Sequence, residues 1–354
     1  MFFARAPAYI RPFMQKRSLA SVTSEFHIPV IKFSKFRTAK SNAEKKETAN
    51  EILSGFKNSG FIYISDHGIP ADTISSVFRK STKFFKLPDA VKSQLAWEDP
   101  RSNRGYVGIG RERSTQSTDP QEILALREKA PDCKQSMEIG RDWDSEWKNK
   151  WPKESDVPEF KQTMLEFFQT CHSLHVELMR SIALGLDLSE SFFDHKIDQQ
   201  CHNLRLVSYP PMKRVSLERE GQARGGTHSD YGTLTLLFQV GGLEVMNAHT
   251  GTFIPVTPIP GTIVINVGDL LARWSNDVLR STLHRVVAPP SRTVTPAEAI
   301  APLRQSIVFF SNPNFDAEIA CLPNCGTEAK YPPINTQAYI RTVLTIVCLP
   351  EPCR

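Results

Sequence analysis

In the run GGTHSDYGTLTLLF (225–238), His228 and Asp230 stand two residues apart where an apolar stretch begins. Leu234, Leu236 and Phe238 alternate with Thr233, Thr235 and Leu237, the period of a strand with one buried face. On such a strand His228 and Asp230 project to the same side. A neutral imidazole and a carboxylate on one face can hold one metal ion, provided that a third ligand arrives from elsewhere. The segment STLHRVV (281–287) offers it, because His284 stands 56 residues after His228 on another alternating stretch. Two histidines and one carboxylate on neighbouring strands are the ligand set of non-haem Fe(II), which leaves metal positions open for a cosubstrate and O2. Zinc favours a tetrahedral site with softer or more numerous protein ligands, so iron is the better match.

Twenty residues beyond His284 comes RQSIVFF (304–310), with Arg304 and Ser306 on one face of a strand. A guanidinium beside a hydroxyl holds a carboxylate by charge-assisted hydrogen bonds. Alone, Arg-x-Ser has almost no specificity. After His-x-Asp and a distant His it points to 2-oxoglutarate, with the far carboxylate on Arg304 and Ser306 and the keto-acid end at the metal.

Residues so far apart in sequence need strands that become neighbours. FHIPVIKF (26–33) reads as a strand and 42–55 as a helix. GFIYISDHGIP (60–70) reads as a second strand, ending at His67-Gly68, with His67 structural. Helical periods follow at 71–87, where Phe78, Phe84 and Phe85 mark a buried face. Another runs over 158–186, where Phe160, Met164, Phe167, Cys171, Leu174, Leu178 and Ile182 recur at spacings of three and four. His172 and His175 read as ordinary residues of that helix. From Asn203 onward the pattern changes to short strands punctuated by turns: LRLVSYPP, TLTLLFQV, GLEVMN, GTFIPVTP, GTIVINVG, TLHRVV and QSIVFFSNP. Strands at such short spacing indicate an antiparallel sandwich or barrel, and the whole chain reads as α+β.

A chain of 354 residues, 40% apolar and 23% charged, has the make-up of a globular enzyme, and no run approaches the roughly 18 apolar residues of a membrane span. Residues 1–19 carry Arg5, Arg11, Lys16 and Arg17 and no acid, the composition of a mitochondrial transit peptide, with RSLAS (17–21) resembling a matrix processing site. Without them the formal charge falls from +5 to about +1, which argues against a nucleic-acid footprint. Seven scattered cysteines suit a reducing compartment, and Cys321 and Cys325 lack the second pair that a zinc finger needs. The expected organisation is a leader (1–19), an N-terminal region (26–150), and a helix plus strand-rich core (151–354).

The order His-x-Asp, His, Arg-x-Ser, preceded by YPP (209–211) and by IPVIKF and GFIYISDHGIP, resembles the isopenicillin N synthase-like class of iron and 2-oxoglutarate-dependent dioxygenases over nearly all of 26–345. That resemblance implies a double-stranded β-helix, or jelly-roll, core with flanking N-terminal helices. It implies Fe(II) on His228, Asp230 and His284, and 2-oxoglutarate on Arg304 and Ser306 with Tyr209 at its other end. It also implies O2 as oxidant, ascorbate supporting activity, and a small-molecule substrate. A narrower similarity, to fungal thymine dioxygenases (thymine 7-hydroxylases), lies in SNRGYVGIGRERSTQSTDPQE, MEIGRD, NLRLVSYP, GDLLARWSND and FFSNPN. By that similarity Asn103, Arg205, Tyr231 and Phe310 bind a pyrimidine. There are two departures: the stretch between His284 and Arg304 is longer, and Gln305 replaces an aromatic residue. Besides a dioxygenase acting on another small metabolite, two other readings stay open. One is an iron oxidase whose Arg304 and Ser306 hold a substrate carboxylate, and the other is a binding module that has kept the fold.

Overall fold

The alternating runs form strands, and most of these sort into two facing sheets. The structure, a computed structural model, describes residues 26–99, 102–115, 117, 119–217, 223–288 and 299–347. In chain order the strands are β1 (Val30–Lys32), β2 (Phe61–Ser65), β3 (Gly105–Val107), β4 (Gln135–Gly140), β5 (Asn203–Tyr209), β6 (Met212–Lys213) and β7 (Gly225–His228). Then come β8 (Leu234–Gln239), β9 (Leu243–Met246), β10 (Phe253–Pro255), β11 (Thr262–Val267), β12 (His284–Val286), β13 (Ile300–Ala301) and β14 (Arg304–Ser311). While β6 and β13 pair by themselves, the major sheet runs β1-β2-β11-β8-β14-β5-β4-β3, and the minor sheet β10-β9-β12-β7. Together the two sheets make the double-stranded β-helix core of an α+β chain, as expected.

Each face of the major sheet is covered. Leu204, Leu206, Leu236, Ile307 and Phe309 point to one core, against the long helix Phe160–Gly185. There Phe167 meets Phe238 at 5.1 Å and Phe168 meets Phe309 at 5.2 Å, both edge-on. The intervening residues, Val207, Tyr209, Leu237, Val264 and Val308, face the minor sheet's Leu243, Val245 and Val286 in a second core. The inside of the barrel is therefore the side of Asn203, Arg205, Val207 and Tyr209 on β5 and of Arg304, Ser306, Val308 and Phe310 on β14.

The run 225–238 is not one strand with a single buried face. His228 ends β7 in the minor sheet, Asp230 lies beyond that strand, and β8 belongs to the major sheet. The chain crosses between sheets at Gly232, where a Cβ would come within 2.2 Å of the Ser311 carbonyl. β8 lies between β11 and β14, and Leu234 through Phe238 are all buried.

The helix expected over 42–55 extends through Asn42–Asn58. Gly55 does not stop it. A Cβ there would press within 2.4 Å of Ile62 and 2.9 Å of Pro29, so the glycine marks close helix-to-sheet approach. The helices Ala71–Phe85 and Phe160–Gly185 fall within one or two residues of their expected bounds. Strands β3 and β4 and the helix Thr336–Val347 had no period that drew notice. Because β1 to β4 join the major sheet, regions 26–150 and 151–354 share one core. Among the described residues no helix is long and apolar enough to cross a membrane.

Candidate active site

Two crossings bring the metal-type residues together. β7 and β12 pair with His228 opposite His284, and the connection after β7 carries Asp230 beside them. The ligand atoms of the three lie within 4.8 Å of one another. Asp230 Oδ1 is 3.9 Å from His228 Nε2 and 3.7 Å from His284 Nε2.

Each residue is turned so that one atom remains for an ion. His228 Nδ1 donates to the Gly226 carbonyl at 2.7 Å, and His284 Nδ1 to that of Thr282 at 3.1 Å. Those bonds fix the tautomer and leave both Nε2 lone pairs facing inward. Asp230 Oδ2 accepts from Thr235 Oγ1 and Asn266 Nδ2, both at 2.7 Å, which leaves Oδ1 free. Burial opposes the Asp230 charge, but His284, His228 and the two hydrogen bonds outweigh it and hold the carboxyl below its ordinary value. Burial and the neighbouring His284 push His228 down to about 4, so it is neutral and able to ligate near pH 7. Two neutral imidazoles and one carboxylate on one side fit a divalent cation with its other positions open.

Arg304 lies across the barrel on β14, buried, opposite Tyr209 of β5. Its Nε donates to the Gly241 carbonyl and its Nη1 to Ser306 Oγ at 3.3 Å, and its guanidinium lies 4.6 Å from the centre of the Tyr209 ring. Tyr209 therefore belongs to the same end as the arginine, not to the other end as expected, because antiparallel register sets the two side by side. Gln305 points the other way, accepting from Thr82 Oγ1 at 2.8 Å on the helix side. Its departure from an aromatic residue leaves the interior unchanged.

Phe310 and Arg205 adjoin on the inner face, the guanidinium 5.4 Å from the ring centre. Arg205 is not a free donor. It contacts Glu138 at 2.7 Å and Glu112 at 3.5 Å, and although burial opposes its charge, these carboxylates raise its pKa well above the ordinary value. Glu112 is also 3.3 Å from Lys134, which in turn reaches Asp132 at 3.0 Å. Tyr231 follows Asp230 and packs, partly buried, against the first core. Asn103, at φ 48°, precedes β3, whose Gly105 pairs with Glu138. Its Oδ1 is buried without a partner, as is Oδ1 of Asn203, whose Nδ2 donates to Glu138 at 2.7 Å.

The comparisons with known proteins agree with this geometry. Residues 28–154 match the family described as non-haem dioxygenase in morphine synthesis N-terminal, and residues 200–313 match the 2OG-Fe(II) oxygenase superfamily. A 2-oxoglutarate-Fe(II) type oxidoreductase, ppzD, of Metarhizium rileyi is 35% identical over 84% of this chain and 84% of its own. The chain belongs to the 2OG-Fe(II) oxygenase superfamily. The thymine 7-hydroxylase of Neurospora crassa, crystallised with alpha-KG and thymine, superposes with a TM-score of 0.81 at 45% identity, covering 90% of this chain and 96% of that one. The proline hydroxylase buaE of Petromyces alliaceus is 36% identical over 77% of this chain and 84% of its own. The protein is thus a 2-oxoglutarate/Fe(II)-dependent dioxygenase, and its cofactors are Fe(II) and 2-oxoglutarate.

This dioxygenase holds a second group of metal-type residues, His172, His175 and His202. It does not fit an ion. His202 Nδ1 accepts from the Asn312 backbone N–H at 3.0 Å, so in its neutral form Nε2 carries the proton and donates to His172 Nδ1 at 3.0 Å. Thr233 Oγ1 donates to the Ser311 carbonyl at 3.0 Å and accepts from His175 Nε2 at 2.9 Å. The trio ties the long helix to the start of β5 and the end of β14, in keeping with the reading of His172 and His175 as ordinary helix residues. His67 is structural as read, its Nδ1 accepting from Ile69 N–H at 3.2 Å. Cys321 and Cys325 join no metal-type group among the described residues. The leader and residues 289–298, within the longer stretch before Arg304, lie outside the described residues.

Sequence reading missed Thr235 and Asn266, which orient Asp230, and the group of Glu112, Lys134, Glu138 and Asn203. One signal was visible: Asn266 interrupts the otherwise apolar GTIVINVG.

Proposed function

We propose that His228, Asp230 and His284 hold Fe(II), that Arg304, Ser306 and Tyr209 hold 2-oxoglutarate, and that the dioxygenase hydroxylates a flat heterocycle of pyrimidine size. Bound in this way, Fe(II) with 2-oxoglutarate and O2 supplies the oxidation that turns a C–H bond into C–OH while 2-oxoglutarate becomes succinate and CO2. The chain's own residues orient the reactants. Thr235 and Asn266 hold Asp230 still, the Gly226 and Thr282 carbonyls hold the imidazoles, and the buried arginine faces the carboxylate.

The pyrimidine reading rests on Phe310, an aromatic face for stacking that pairs with Asn203, and on the bare amide oxygens of Asn203 and of Asn103, two residues ahead of β3. Two buried acceptors suit a ring that carries N–H donors, and leaving either one empty costs about 1 to 3 kcal/mol. Arg205, bound to its carboxylates, acts as the floor of this region. The Neurospora crassa enzyme crystallised with thymine supports the reading. Its test is succinate formation across a panel. Thymine should stimulate turnover more than L-proline does, and Phe310→Ala should raise the thymine KM by about 10-fold, the worth of one aromatic stacking contact. A panel led by proline, or an unmoved KM, sinks the pyrimidine reading and leaves the dioxygenase intact.

The basic leader further supports delivery to the mitochondrial matrix. Residues 1–25 fused to a fluorescent reporter should carry it to mitochondria, and a diffuse cytosolic signal would count against this.

A further inference from the structure

Arg224 is a buried cation that the arrangement above does not use. It is 1% exposed and heads the fully buried side chains by volume. Its Nη2 donates to the Pro302 carbonyl at 2.7 Å, while Nε and Nη1 meet no acceptor. A buried guanidinium with two bare N–H groups is strongly unfavourable unless an anion joins it.

The surroundings indicate where that anion lies. Pro302 is two residues ahead of Arg304, itself buried, whose own bonds go to the Gly241 carbonyl and Ser306 Oγ, neither of them charged. Burial depresses the Arg224 pKa, then Arg304 does, and Tyr209 opposes them. Among the described residues no carboxylate bonds either guanidinium, whereas Arg205 and Lys134 each pair with carboxylates. A planar carboxylate matches the N–H geometry of both arginines.

We propose that Arg224 is a second guanidinium for the far carboxylate of 2-oxoglutarate, which lies between Arg224 and Arg304 rather than on Arg304 and Ser306 alone. This rests on the reading that Arg304 binds the cosubstrate. Arg224 is then a binding residue.

The test is calorimetric titration of the Fe(II)-loaded protein, free of O2, with 2-oxoglutarate and with 2-oxobutyrate, which keeps the keto-acid end and lacks the far carboxylate. Wild type should prefer the dicarboxylate. Arg224→Met should shrink that preference by about 10- to 100-fold, the worth of a charge-assisted hydrogen bond, and leave the 2-oxobutyrate Kd unchanged. Methionine fills much of the volume and removes an unpaired charge, so the ligand-free melting temperature should hold or rise. An unchanged preference, or equal loss for both acids, overturns the proposal. If the Met variant does not fold, Arg224→Lys should shrink the preference several-fold, and a wild-type ratio overturns the proposal. Arg304→Ala separates the two readings. If it loses the preference while the Arg224 variants keep it, only the role of Arg224 fails. If neither loses it, both fail.

Discussion

Asp230→Ala abolishes 2-oxoglutarate turnover, with a loss beyond about 1,000-fold. The expectation follows from geometry: Asp230 is the only anionic residue of the triad, and its Oδ1 lies 3.7 and 3.9 Å from the two Nε2 atoms. Without it a divalent ion keeps two neutral ligands. Thr235→Val is the control, since it removes one 2.7 Å bond to Oδ2 and retains the ligand. Residues that only orient a metal ligand are worth roughly 10- to 100-fold, so Thr235→Val should fall in that range. The fold survives in both variants, because the two apolar cores lie elsewhere. Succinate release, iron content and melting temperature check the three parts, and wild-type turnover by Asp230→Ala would sink the triad assignment.

Glu138→Ala lowers stability by about 3 to 5 kcal/mol, the cost of removing one partner from a buried ion pair. Glu138 is 0% exposed, so every one of its contacts is made without water. Its oxygens accept from Arg205 at 2.7 and 2.9 Å, from Asn203 Nδ2 at 2.7 Å and from Ser136 Oγ at 2.6 Å. Removing it leaves Arg205 with Glu112 alone, at 3.5 Å. Denaturant titration measures the shift as a lower midpoint. Glu138→Gln should cost less, because the amide oxygen still accepts. A loss under about 1 kcal/mol for Glu138→Ala would mean that Arg205 finds water or another acceptor, and that the group is less sealed than its burial indicates.

The amino-acid sequence by itself determined the chemistry and the class of fold. His284, Arg304 and Ser306 were legible because they lie at the beginning of alternating stretches, and His228 and Asp230 because the pair stands beside an apolar run, although the chain changes sheets between that pair and the run. Rare residue types at apolar strand ends have few structural uses. Long helical periods were equally plain, as in Phe160–Gly185, since a stripe repeated over many turns outweighs any single residue. Gly55 misled because a glycine that ends a helix and one that lets a helix approach a sheet look the same in one dimension. β3 escaped notice because three residues are too few to show a period, and β4 because its alternation, Ser136-Met137-Glu138-Ile139, sets a charged residue inside a strand that is buried throughout.

Only the tertiary structure decided which polar groups are committed and which are free. Arg205 reads as a substrate donor until antiparallel register sets it opposite Glu138, 67 residues away, and near Glu112, 93 residues away. Tyr209 reads as a contact for the end of the cosubstrate away from Arg304 until register puts it beside Arg304. Arg224 drew no notice in the sequence, and it stands out only because burial removes its water while, among the described residues, no carboxylate bonds it. A strand's period states which face a side chain takes. Its partner across the sheet depends on a register set by turns and packing far away, and a one-residue slip would exchange every pair.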